Sequence, residues 1–124
     1  MKIRMQGNSI RYRMNRREVE EFAAARRFES SVQFPTGTLR YAVECAPDRG
    51  APEAKFGPEG IVISLPEHMA ADWAAGQGVS IAASQPLPGG GTLEILVEKD
   101  FQCLHKGDEA KDPNAFPNPD ALTA

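Results

Sequence analysis

Gly37-Thr38-Leu39-Arg40-Tyr41-Ala42-Val43-Glu44 returns, 54 residues on, as Gly91-Thr92-Leu93-Glu94-Ile95-Leu96-Val97-Glu98. The two stretches share Gly-Thr-Leu and Val-Glu at matching places, and both alternate apolar and polar residues as half-buried strands do. Upstream, with an offset of 51 (Ile10 onto Ile61), Ile10-Arg11-Tyr12-Arg13-Met14 falls on Ile61-Val62-Ile63-Ser64-Leu65, and Phe22-Ala23-Ala24 falls on Trp73-Ala74-Ala75. Recurrence of this kind makes the repeat the first thing to establish about the fold.

The order of elements within one repeat follows from local chemistry. Ile3 and Met5 alternate with Lys2 and Arg4, then Gln6-Gly7-Asn8-Ser9 has the residue types of a tight turn. Alternation resumes with Ile10, Tyr12 and Met14 on one face and Arg11 and Arg13 on the other. Asn15 with Glu18 three residues on is a variant of the capping box, and Val19, Phe22, Ala23 and Arg26 make the stripe of a three-turn helix. Phe28, Val32 and Phe34 suggest a strand whose phase Glu29-Ser30-Ser31 leaves open, and Leu39 to Cys45 is a clean strand after Pro35-Thr36-Gly37-Thr38. The loop from Pro47 to Pro52 is the seam between repeats.

The second repeat has the same grammar. Ala54-Lys55-Phe56 and Ile61 to Leu65 flank a Gly57-Pro58-Glu59-Gly60 turn. Pro66 suits the first turn of a helix carrying Met69, Ala70 and Trp73, and Gly76-Gln77-Gly78 stops it. Val79, Ile81 and Ala83 alternate, Gln85 to Gly91 is a loop, and Leu93 to Lys99 is the last strand. The fold expected is α+β: an internally duplicated ββαββ unit, repeats 2–44 and 54–98, forming one compact barrel-like or sheet domain with two short helices over residues 1–104. Phe22 and Trp73 should occupy equivalent buried positions. Residues 105–124, with Phe116-Pro117-Asn118-Pro119, read as an extended polar Pro-containing tail, disordered or pinned to the domain by Phe116.

At 124 residues, 41% apolar and 25% charged, the chain suits a single globular domain. No apolar run reaches the length of a membrane span and no signal peptide opens the chain, so the expectation is a cytoplasmic protein with no membrane partner. Two cysteines, Cys45 and Cys103, are then expected as free thiols. Net charge is −3, but residues 1–50 carry ten Lys and Arg against six Asp and Glu, and residues 51–124 carry four against eleven. Such an asymmetry can steer an anionic partner, be a solvated surface, or be cancelled by the acidic half.

The stretch from Phe56-Gly57-Pro58-Glu59-Gly60 through Ile61 to Met69 and Gly78-Val79-Ser80-Ile81 resembles the AbrB/MazE swapped-hairpin pattern: strand, Gly turn, Ile-rich strand ending in Pro, short helix, Gly-x-Val strand. The first half is similar but has Asn15 where that family has Pro. The resemblance implies interlocked hairpins that bind DNA through basic strand and helix residues, here as a fused pseudo-dimer. The whole chain also resembles a small bacterial family of unknown function. Its opening Met1-Lys2-Ile3-Arg4, Gly90-Gly91-Thr92-Leu93, Val97-Glu98-Lys99-Asp100-Phe101 and Phe116-Pro117-Asn118-Pro119 carry that likeness, which brings no activity with it.

No phosphate-binding loop, dinucleotide fingerprint or nucleophile elbow is present, so neither a cofactor nor a catalytic residue is assigned. Gly89-Gly90-Gly91 precedes a strand rather than a helix and reads as a turn. His68, beside Glu67, reads as a surface residue. Cys103-Leu104-His105 with Asp108, Glu109 and Asp112 has ligand types for a metal, but incidental tail composition is the simpler reading and no metal site is assigned. Arg11 and Arg13 on a strand, with Arg16 and Arg17 at the next helix start, could meet one phosphate chain. The expectation is thus a non-catalytic binding domain with nucleic acid as partner. Its alternative is a protein-interaction or oligomerisation module in which the basic half meets an acidic surface, a second copy included. A metal-dependent enzyme ranks third.

Overall fold

Ten elements follow in the computed structural model, which describes residues 1–76 and 78–100. Strands β1 (Lys2–Met5) and β2 (Ser9–Met14) form a hairpin whose turn is eased by Gly7 at φ 58° and by the Ser9 hydroxyl donating to the Gln6 carbonyl at 2.6 Å. Helix α1 (Arg16–Ala25) starts from a complete capping box. Asn15 Oδ1 accepts from the Glu18 N–H and Glu18 Oε1 accepts from the Asn15 N–H, both at 2.9 Å. It stops at Arg26, which takes φ 62° and donates its N–H to the Phe22 carbonyl at 2.7 Å. Strands β3 (Arg27–Phe34) and β4 (Gly37–Ala46) follow at once. Their register opposes Phe28, Ser30 and Val32 to Val43, Tyr41 and Leu39, which fixes the phase that Glu29-Ser30-Ser31 left open.

The second half repeats this path as β5 (Glu53–Gly57), β6 (Gly60–Pro66), α2 (Glu67–Ala74), β7 (Ser80–Pro86) and β8 (Thr92–Lys99). Pro66 stands one place earlier than its sequence position suggested. It closes β6 opposite Ala46 and is the N-cap of α2, so Glu67 is the first helical residue. Strand β7 runs to Pro86, into the stretch expected as loop, because Gln85 and Pro86 still pair with Leu93 and Thr92.

The two repeats do not form one sheet each. One sheet has the order β1-β2-β8-β7 and the other β3-β4-β6-β5, so each sheet takes one hairpin from each half. The cause lies in the helices. In the first half α1 carries the chain from β2 across to β3 in the other sheet, and α2 carries it back from β6 to β7. The inner strands then meet in parallel, a pairing that needs a crossover connection. Ile10 lies opposite Ile95 and Tyr12 opposite Val97; likewise Ile61 lies opposite Tyr41 and Ile63 opposite Val43. Exchanging the halves under the two sequence offsets leaves this pairing scheme unchanged.

The barrel alternative is corrected by this arrangement: the strands stay in two four-stranded sheets, and among the described residues no ladder joins them. The seams are bridged by single contacts instead. The Met1 carbonyl, just ahead of β1, accepts from the Tyr41 hydroxyl of β4 at 2.9 Å, and Gln85 Oε1 of β7 accepts from the Ala54 N–H of β5 at 2.8 Å. Between the sheets lie Tyr12, Met14, Val43, Ile63, Leu65 and Val97, all buried. Phe22 and Trp73, each 1% exposed, meet edge to face with ring centroids 6.1 Å apart and join the two helices to that core.

Candidate binding face of the first sheet

Strand alternation sends Lys2 and Arg4 of β1 and Arg11 and Arg13 of β2 to the outer face of the first sheet. The antiparallel register sets Lys2 opposite Arg13 and Arg4 opposite Arg11, a two-by-two array of cations. Like charges directly opposite one another repel, so the array needs compensation. Strand β8 supplies it. Its parallel register puts Glu98 beside Arg13 and Leu96 beside Arg11. Glu98 Oε1 lies 3.0 Å from Arg13 Nε and 3.5 Å from Arg11 Nε. Asp100 accepts from Lys2 Nζ at 2.7 Å and lies 3.8 Å from Arg13, and the hydrogen bond from Lys2 holds its carboxyl below the ordinary aspartate range. Among the described residues Arg4 reaches only Gln6, at 3.3 Å.

The other two arginines named from sequence lie apart from this array. Arg17 projects from the first turn of α1 and faces Glu21 at 3.6 Å. Arg16 is exposed, has no carboxylate partner among the described residues, and lines a cleft between the start of α1 and the end of α2. The anion-attracting start of α1 is itself partly answered: Glu18 caps it and also takes an ion pair from the Met1 amino group. Arg11 and Arg13 are therefore together, Arg16 and Arg17 flank the helix start, and acidic side chains already neutralise three of the four.

Beside the array the outer face is a shallow groove of about 560 Å³, where Ala82 and Ser84 on β7 leave room between Arg11 and Glu94. Glu94 accepts from the Ser84 hydroxyl at 2.6 Å and the Thr92 hydroxyl at 2.8 Å, and these bonds lower its carboxyl from the ordinary glutamate value. Between the helices lies a smaller groove of about 300 Å³, with Arg26 and Glu67 paired at 2.5 Å across it and half-buried Cys45 at its wall. Burial pushes the Cys45 thiol up from its ordinary value.

Sequence reasoning missed one further feature. Toward the hairpin tips each edge strand carries an exposed apolar side chain: Met5 on β1 (60% exposed), Phe34 on β3 (55%), Phe56 on β5 (83%), with Leu87 just past the end of β7. Met5 and Phe56 match at the offset of 51 residues, a signal that was present in the alignment of halves. His68 is exposed on α2, and among the described residues no group of three metal-capable side chains forms. The Cys103–His105 cluster and the tail from 105 to 124 lie outside the described residues. Among the described residues, no helix is long and apolar enough to cross a membrane.

A family model described as "Family of unknown function (DUF7009)" matches residues 1–120. No curated protein and no solved structure matches the chain.

Proposed function

We propose, for a chain that belongs to the DUF7009 family of unknown function, a non-catalytic role in which the hairpin tips dock a protein partner. The exposed apolar side chain at each edge-strand tip carries this reading. Phe56 and Phe34 stand more than half exposed at the ends of β5 and β3, where burying an aromatic ring against a partner gains far more than leaving it in water. Aromatic residues and methionine are also the types enriched at the centres of protein interfaces. The test is site-specific photo-crosslinking. The full chain with a benzophenone side chain at Phe34 or Phe56 should give discrete protein adducts on irradiation in a lysate of the source cells. The same group at Asp48, exposed in the loop between repeats, should not. Adducts of twice the chain mass identify a second copy as the partner. Equal labelling at all three positions, or none at the tips, overturns the reading.

A second reading is nucleic-acid binding through Arg11 and Arg13 with Lys2 and Arg4, flanked by Arg16 and Arg17. The cross-strand cation array and the exchange of hairpins between halves, which the AbrB/MazE resemblance implies, favour it. Glu98 and Asp100 weigh against it, because a phosphate contact by Lys2, Arg11 or Arg13 must compete with a carboxylate already paired there. Titrating duplex DNA at low salt, with the parent chain and an Arg11→Ala/Arg13→Ala double variant, decides the matter. Binding abolished by the substitutions and by salt supports it; its absence at low salt ends it.

A further inference from the structure

A cleft of about 810 Å³ lies at the end of the molecule where both helices join the sheets, away from the hairpin tips. Met14, Val19, Ala74, Ala75 and Val79 give it an apolar wall, and Arg16, Glu20, Lys99 and Asp100 surround it. Val79 is held there by its backbone. Its carbonyl accepts from Trp73 Nε1 and from the Lys99 N–H, both at 3.0 Å, while its side chain stays 52% exposed. Lys99 is occupied, donating to the Gly78 carbonyl at 3.1 Å with its ammonium 5.7 Å from the Trp73 ring centre.

We propose that this cleft seats the chain's own next segment, residues 101–109, with Phe101 and Leu104 against Val79 and with Asp108 and Glu109 answering Arg16. The chain is delivered to the site. The Asp100 N–H donates to the Met14 carbonyl at 2.8 Å, so the backbone arrives at the cleft rim fixed in place. An extended chain advances about 3.3–3.6 Å per residue, a reach sufficient for Phe101 and Leu104 to meet the apolar wall and for Asp108 to meet the helix start. The chemistry is complementary, an apolar pair followed by two adjacent acids against an apolar wall edged by Arg16. The family match runs on to residue 120, so this segment belongs to the pattern the family shares. Because it is tethered, its effective concentration is in the millimolar range and weak contacts suffice. The inference does not depend on the reading of the hairpin tips.

Hydrogen exchange on the full chain tests it. Amides of residues 101–109 should exchange about tenfold or more slowly than free-peptide rates. Val79→Asp, which leaves the Val79 carbonyl bonds in place, should return them to within about twofold of those rates while β2 and β8 amides stay protected. Arg16→Glu should release residues 105–109 and leave 101–104 protected. Free-peptide rates in the parent chain overturn the proposal, as does protection that survives Val79→Asp. Protection at 105–109 that ignores Arg16→Glu overturns the role given to the acids.

Discussion

Removing the Phe22 ring tests the account of how the two repeats are joined. Phe22 and Trp73 are fully enclosed, and each is the other's counterpart in its own half. Phe22→Ala loses the transfer energy of the ring and leaves a cavity beside the indole, a cost of about 3–5 kcal/mol. The edge-to-face geometry adds a pairwise share of about 0.5–1.5 kcal/mol. Against a total stability of about 5–15 kcal/mol, that loss is a large share of what holds the fold. With each 1 kcal/mol worth about 4–8 °C in a domain of this size, Tm should fall by upward of about 12 °C. The pairwise share is best isolated with milder changes. Phe22→Leu and Trp73→Phe each keep an apolar group in place and should cost about 1 kcal/mol each, and Val79 keeps the Lys99 N–H as a donor when the indole N–H is gone. Urea unfolding followed by far-UV circular dichroism serves all variants, including those without the tryptophan. A loss below about 1 kcal/mol for Phe22→Ala would refute the packing argument. A coupling energy below about 0.3 kcal/mol in the double-variant cycle would refute the claim that the two rings act as a pair.

Gly60→Ala should destabilise by about 1–3 kcal/mol, because the residue has φ 96° and an added Cβ would strike the Arg40 carbonyl oxygen, whereas Gly57→Ala has open space and should change little in the same unfolding assay. Asn15→Ala removes the side-chain half of the α1 capping box and should cost about 1 kcal/mol, with Asn15→Asp retaining most of it. In a Cys103→Ser background, Cys45 should react with a thiol reagent at pH 8 more slowly than a free cysteine, since burial raises its pKa and the thiolate is the reactive form. Tyr12 is pushed well above its ordinary phenol range by burial, so the stability it contributes is full below pH 10 and declines above it. Phenolate absorbance should then show Tyr12 ionising only as the chain unfolds, and Tyr12→Phe should remove that share of the alkaline loss.

What could be read directly from sequence was local. Alternation assigned Ile10, Tyr12 and Met14 to the core. The Asn15–Glu18 pair marked the start of α1, and the offset of 51 residues identified Phe22 and Trp73 as counterparts. Alternation tells which face a residue takes, but it is silent on which strand lies alongside. The parallel ladders of β2 with β8 and of β4 with β6 join residues from different repeats, and no local signal encodes them. Pro66 shows the same limit on a smaller scale: its fixed φ suits a helix start, and only the neighbouring Ala46 shows that it also completes a strand.

The same non-local pairing governs how charge must be interpreted. In sequence the chain divides into a basic half and an acidic half, which suggests two poles and an anionic partner for one of them. Exchange of hairpins places the most basic hairpin, β1 with β2, directly against β8 from the acidic half. Glu98 then stands between Arg11 and Arg13, and Asp100 between Lys2 and Arg13, so the division in sequence becomes an internal ion network in space. The pairs are partly exposed, and their net worth to stability is small. Their larger effect is on the outward field, because a compensated array attracts a polyanion much less than four free cations would. The apolar tips have no such compensation: Phe56 and Phe34 stand more than half exposed. This contrast favours the proposed docking of a partner at the tips over phosphate contact at the cationic face.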